Sequence, residues 1–159
     1  MEETRQEVPW TWQGLPVTPE MIPVWAVGMV YKISRLDKFG NKVKIYIGKK
    51  LLQSNRKGKI GKREIAATGT RKRVKRVVKD SGWMKYNSSC PELVKEIKEE
   101  PGQFCKEIVE WCWSKKQLSY VEMEWQVKED VLRRDTYNGN VLLRWFRKDL
   151  IRPEKKEVL

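Results

Sequence analysis

Residues Val30–Lys50 read VYKISRLDKFGNKVKIYIGKK. Two apolar runs flank the turn formers Phe39-Gly40-Asn41, and each run carries one tyrosine, Tyr31 or Tyr46. Val27–Ser34 and Lys42–Gly48 therefore read as the strands of a hairpin with a longish loop. The second run closes on Ile47-Gly48-Lys49-Lys50. Tyrosines on strands are ordinarily packing residues. Whether this hairpin is scaffold or part of a site depends on what the rest of the chain brings to it.

Outward from the hairpin, residues 1–24 combine Pro9, Pro16, Pro19 and Pro23 with Trp10 and Trp12. The prolines argue against regular structure and the tryptophans against disorder, so an extended arm packed on the domain is expected. Asn55–Gly69 reads as a loop. Arg71–Lys79 spaces Val74, Val77 and Val78 as one apolar stripe on a basic helix, stopped by Ser81-Gly82. Ser89 is positioned to cap a helix with Pro91 in its first turn, ended by Pro101-Gly102. Phe104–Trp113 is apolar and branched enough for a third strand, although its alternation is uneven. Ser114 and Gln117 have capping-box spacing for a helix to about Arg133. Tyr137-Asn138-Gly139-Asn140 is a turn, and Val141–Trp145 a further short strand or helix. The organisation expected is an arm (1–24), one domain (25–145) with a basic insert (49–79), and a charged tail (146–159), frayed after Arg152.

The 159 residues are enough for one domain with its own core. Three cysteines, Cys90, Cys105 and Cys112, contain no CxxC pair, and there is no histidine. That excludes a Cys/His zinc centre and a histidine-based dyad. Reduced thiols fit a cytosolic setting. The longest apolar stretch, Ile22–Tyr31, is too short to span a bilayer, and the first residues do not read as a signal peptide. A cytoplasmic protein with no membrane partner is expected.

The net charge of +13 is concentrated. Lys49, Lys50, Arg56, Lys57, Lys59, Lys62, Arg63, Arg71, Lys72, Arg73, Lys75, Arg76 and Lys79 face a single acid, Glu64, within residues 49–79. A local patch of this kind is the footprint of a polyanion binder. A solubilising face is the plainer alternative. Acidic lipid fits less well, because the segment lacks aromatic anchors.

One acid breaks the pattern of the helix after Ser114. Leu118, Val121, Trp125 and Leu132 share a face, and Glu122 falls in the same arc. A buried carboxylate is expensive unless paired or bound to metal. A structural ion pair and a functional carboxylate are equally compatible with the spacing. Tyr120, Met123 and Val127 form a second apolar face, so a helix sandwiched between two layers is expected.

The order of these features resembles the GIY-YIG nuclease family, most closely its phage Seg-type homing endonucleases. Met29-Val30-Tyr31 and Tyr46-Ile47-Gly48 match the two signature strands. Residues 81–89, SGWMKYNSS, resemble the Seg-type Ser-Asp-Trp-Lys-Tyr-Tyr-Gly-Ser-Ser pattern. Gly102–Ile108, Tyr120-Val121-Glu122 and Tyr137-Asn138 follow in the family's order, from about Gly28 to Asn140. The resemblance implies an α+β fold, a small antiparallel three-stranded sheet flanked by helices. It also implies hydrolysis of DNA phosphodiesters, most often double-stranded, with one divalent ion, Mg²⁺ or Mn²⁺, by a monomer or homodimer.

Carried over by position, Tyr31 and Tyr46 line the site, Glu122 is the metal ligand and Asn138 supports it. One carboxylate with water and phosphate oxygens is a sufficient Mg²⁺ site. The family's frequent central histidine is absent, leaving Tyr86 or Lys50 for proton handling. Its arginine has no single counterpart among Lys49, Lys50, Arg56 and Arg63; Lys50 and Arg63 are favoured. These departures keep a second reading open: a weakly active or inactive nucleic-acid-binding protein on the same scaffold, a regulator or inhibitor. A third is an RNA binder using tryptophans to stack on bases.

Overall fold

A computed structural model describes residues 6–151. The expected hairpin is present and longer: β3 (Gly28–Leu36) and β4 (Lys42–Leu51). They pair antiparallel from Gly28↔Leu51 to Leu36↔Lys42. Strand β7 (Phe104–Cys112) pairs antiparallel with β3 on the other side. This trio is the antiparallel unit expected from the sequence.

The sheet does not stop at three strands. Trp10–Trp12 forms β1, which runs parallel to β7, and Leu15–Pro16 forms β2 on its outer edge. The result is a five-stranded mixed sheet ordered β2-β1-β7-β3-β4. The prolines do not prevent this, because Pro16 sits on the outermost strand, where a missing N–H breaks no ladder bond. Trp10 anchors the addition: its ring is buried, and its indole Nε1 donates to the Trp83 carbonyl at 2.8 Å.

The uneven alternation of β7 has a local cause. Val30 pairs with Glu110 but Tyr31 with Ile108, so Val109 is an extra residue, a β-bulge. The bulge lets Ile108 and Trp111 face the same side despite odd spacing. They join Trp10, Met29, Tyr31 and Ile33 in one core layer, covered by Leu93 and Ile97 of α2 (Pro91–Glu99). On the opposite face Val30, Ile45, Ile47 and Cys112 pack against Leu118 and Val121 of α3 (Lys115–Lys128). Ser114 caps α3 as expected, accepting from the Gln117 amide at 3.1 Å. Helix α3 is not sandwiched: Tyr120 and Val127 are 62% and 67% exposed, so its second apolar face meets solvent. It ends at Lys128 rather than near Arg133.

The basic segment differs most from expectation. Gln53–Lys59 forms β5, Lys62–Thr68 forms α1 and Val74–Asp80 forms β6. Strands β5 and β6 make a separate two-stranded antiparallel ribbon, with α1 in the connection at its tip. The expected helix over Arg71–Lys79 and loop over Asn55–Gly69 are both replaced. No layer packs on the valine stripe, since Val74 and Val78 stay about half exposed. Without burial, helical spacing has little force, and β-branched residues with a partner strand take the extended form. Asn140–Val141 (β8) and Trp145–Phe146 (β9) form a small hairpin before α4 (Arg147–Leu150). The frayed tail expected after Arg152 lies outside the described residues.

Candidate functional site

Strand β4 is the free edge of the large sheet, and chemistry-bearing side chains gather along that edge. Alternation along the strand sends Tyr46, Gly48 and Lys50 to one face and Ile45, Ile47 and Lys49 to the other. On the first face Tyr46 packs beside Tyr31, ring centroids 6.1 Å apart. Gly48 lies directly under both rings, and any Cβ there would overlap the Tyr31 phenol and the Tyr46 ring. The Tyr-Ile-Gly triplet is thus a packing requirement: the glycine is the floor on which the two tyrosines rest.

On the second face the Lys49 ammonium donates to Ser119 Oγ at 2.8 Å and lies 3.7 Å from the Glu122 carboxylate. Both partners belong to α3, three residues apart, so one helical turn presents them together to β4. Tyr46, Lys49, Ser89, Glu122 and Asn138 all line one cleft of about 550 Å³ that wraps over the edge of β4. Two faces of a sheet meet in one site because nothing continues the sheet past this strand.

Groups from α3 and from the Tyr137-Asn138 segment close the middle of that edge. The Asn138 amide bonds both main-chain groups of Ile47, and Gln126 Nε2 adds a bond to the Ile47 carbonyl at 3.3 Å. The Tyr137 N–H donates to the Ile45 carbonyl at 2.9 Å. The Tyr-Asn pair therefore acts as a short artificial strand, and its asparagine amide is fully engaged.

The electrostatics separate the roles. Burial pushes the Glu122 carboxyl above its ordinary range, and Lys49 only partly opposes this. A half-buried carboxylate with one long ion pair has coordination capacity to spare. Burial likewise raises the Tyr46 phenol, opposed by its hydrogen bond with Ser89 Oγ at 3.0 Å. Tyr31 is driven far higher by burial, with Tyr46 and Tyr86 adding to the effect, so it stays neutral at any physiological pH.

The cleft brings together Tyr46, Glu122 and Asn138 of the expected site residues. Tyr31 and Tyr86 lie behind it, edge to face with centroids 6.1 Å apart, and do not line it. Lys50 turns away, its ammonium 4.2 Å over the Tyr86 ring. Arg63 sits exposed on α1 in the insert and is not among the cleft residues. Lys49, a phosphate contact and one of the four candidates for the family's arginine but not one of the two favoured, is the cation beside the acid. Strand parity could have chosen it, since residues 49 and 50 must face opposite ways. Ser89 was expected as a helix cap; Cys90 takes that position without a side-chain bond, and the Ser89 hydroxyl serves Tyr46 instead.

Among the described residues no group of three or more His, Cys, Asp or Glu side chains converges as a metal cage. A single carboxylate is compatible with an ion that keeps most of its water, as Mg²⁺ does. No helix of the described residues is long and apolar enough to cross a membrane. No curated protein and no solved structure matches the chain. A family model described as "Putative endonuclease segE, GIY-YIG domain" matches residues 10–148. That span includes β1, the tyrosine hairpin, Glu122 and the Tyr137-Asn138 strand substitute, and the chain belongs to this GIY-YIG endonuclease domain family.

Proposed function

We propose that the protein is a divalent-metal-dependent DNA endonuclease of the phage homing type, with its site on the edge of β4. The observation that carries the reading is the cleft uniting Tyr46, Lys49 and Glu122, in a chain of a nuclease family. Glu122 would hold the ion, Mg²⁺ or Mn²⁺. When bound there, it would supply Lewis-acid stabilisation of the charge that develops on the phosphate and the leaving oxygen.

The chain's own groups divide the remaining work. Lys49 sits beside Glu122 and presents a positive charge to a phosphate oxygen, the electrostatic help phosphoryl chemistry needs. Tyr46 holds a proton on Oη, oriented by Ser89, and faces the cleft where an attacking water would lie. A phenol with a raised pKa is a poor base at neutral pH. It becomes competent only where nearby positive charge favours its ionised form. Asn138 positions the strand: by pinning Ile47 it holds Tyr46, one residue before, and Lys49, two residues after, in register. Tyr31 and Gly48 set the angle of the Tyr46 ring from below.

Plasmid nicking with Mg²⁺, Mn²⁺ or EDTA, with Glu122→Ala alongside, tests the reading. Metal-dependent nicking lost in the variant supports it. The elevated Tyr46 phenol and the presence of Lys49 as the one cation lining the cleft favour the second reading, a scaffold that binds DNA without cutting. Tight, salt-sensitive binding with no cleavage under any metal would select that alternative.

A further inference from the structure

The ribbon formed by β5 and β6 has two unlike faces. Its register sets Gln53↔Asp80, Asn55↔Val78, Lys57↔Arg76 and Lys59↔Val74 on one face. Every side chain of that face is exposed. The other face holds Ser54, Arg56, Gly58, Lys75, Val77 and Lys79. There Val77 packs on Gly58, and Lys75 is bridged at 2.7 Å by Glu64 of α1. The helix at the tip is thus tied to the second face; the first is exposed to solvent, and its root, from Gln53 and Asp80 to Asn55, Arg76 and Val78, borders a wide cleft shared with the segment from Pro19 to Val27.

The open face is unusual for a surface. Lys57 and Arg76 sit directly opposite each other, a like-charge pair that opposes folding of an isolated ribbon. Among the described residues, neither has a carboxylate within ion-pair distance. Half-exposed Val74 and Val78 alternate with Arg76 on the same strand. An anion would relieve the charges, and an apolar ligand group would cover the valines. Duplex DNA in its major groove offers both. An antiparallel ribbon fits a groove about 12 Å wide, where Arg and Lys read guanine, Asn reads adenine, and apolar groups meet the thymine methyl.

Unpaired strands fit less well. Residues 51–80 contain no aromatic side chain, so the ribbon has no stacking platform. Double-stranded RNA hides its major groove from such an element.

We propose that the β5–β6 ribbon is the sequence-reading element of this protein. It enters the major groove of duplex DNA with Asn55, Lys57 and Arg76 toward the base edges, while the tip cations Lys62, Arg63, Arg71 and Lys72 hold the backbone. The proposal rests on the DNA-endonuclease reading above and deepens it.

The test is selection from a random duplex pool by the full-length protein in EDTA, so that binding is scored apart from cleavage. The wild type is expected to enrich a short motif. Arg76→Ala and Lys57→Ala are expected to lose preference at single positions, by roughly 5- to 150-fold for a bidentate base contact. Lys72→Ala is expected to weaken all duplexes alike and lower the salt slope by about one. In the selected duplex, 7-deazaguanine removes a major-groove acceptor and should lower affinity, whereas inosine for guanine alters only the minor groove and should not. A motif unchanged in all ribbon variants, no motif at all, or sensitivity to inosine alone would overturn the ribbon while leaving the endonuclease reading standing. Failure to bind any duplex would overturn both.

Discussion

The Asn138 side chain pairs with both main-chain groups of Ile47: Oδ1 accepts from the Ile47 N–H at 2.9 Å and Nδ2 donates to its carbonyl at 2.8 Å. Asn138 is 4% exposed, so water cannot substitute. Asn138→Ala is expected to destabilise the fold by about 2–4 kcal/mol, because two buried backbone groups lose a partner. Gln126 retains one bond to the carbonyl. Denaturant titration measures the loss, and nicking under native conditions should fall with it. An unchanged midpoint would show that the edge of β4 is closed by something else.

Glu122 is expected to link metal to stability. Its folded pKa is raised chiefly by burial, so the folded state holds the proton more tightly than the unfolded chain. This contribution is therefore favourable at low pH and is lost as pH rises through the folded pKa. Wherever it is ionised, the buried carboxylate is a burden that a divalent cation relieves. Mg²⁺ should raise the wild-type Tm at pH 7 by mass action, and Glu122→Gln should abolish that shift together with nicking. A Mg²⁺ shift that survives the substitution would place the ion elsewhere.

Tyr46→Phe removes one oxygen and the bond to Ser89 while keeping the ring against Tyr31. Nicking is expected to fall by about 10²-fold or more, the usual range for proton-transfer groups, with little change in melting. Because the phenol is raised, wild-type activity should still be climbing with pH above 8, and the slope should vanish in the variant. Ser89→Ala, which removes the group opposing the rise, should push the profile further alkaline.

Gly48→Ala adds one methyl group where the two signature rings meet. The Tyr31 ring is fully buried and has no room to yield, so overpacking of about 1–3 kcal/mol is expected. Thermal melting reports it. A neutral result would mean that the triplet's glycine is not there for packing.

Lys106 is 1% exposed, hydrogen-bonded to Asn87 Oδ1 at 3.0 Å and stacked 4.2 Å over Trp10. Burial lowers its pKa to about 8, with Glu7 only weakly opposing. A depressed lysine is a burden wherever it is charged, so its contribution improves as pH rises from about 8 toward 10.5. Lys106→Met should be more stable than wild type at pH 7 by about 1 kcal/mol or more, and the gap should close by pH 10. A gap that does not change with pH would contradict the lowered pKa.

The antiparallel trio, α3 and its cap, and the candidate acid were legible because each rests on local signals: alternation, capping spacing, one carboxylate out of place. The rest needed tertiary information. Trp10–Trp12 becomes a strand only because β7 offers it a parallel edge. The valines of residues 74–78 carry a helical spacing that nothing buries, so strand pairing prevails. At the site, position in the chain placed Tyr46, Glu122 and Asn138 in one cleft, but not Lys49, which strand parity selects over Lys50. Ser89 has the spacing of a cap, and its distant partner, Tyr46, leaves no trace in local spacing.

Leu52 joins β4 to β5. It is buried, its N–H donates to the Val27 carbonyl at 3.0 Å, and its own carbonyl accepts from the Ser81 amide at 3.1 Å. Four residue steps separate Lys49 from Gln53, where the ribbon begins, at most about 13 Å of chain, which matches roughly four base-pair steps. With the proposed cutting edge on one side and the proposed reading ribbon on the other, this joint, clamped at both sides, would act as a short ruler. A cut made at the β4 edge should fall at a constant small offset from whatever the ribbon grips, and lengthening the chain at Leu52 should move that offset or blur it.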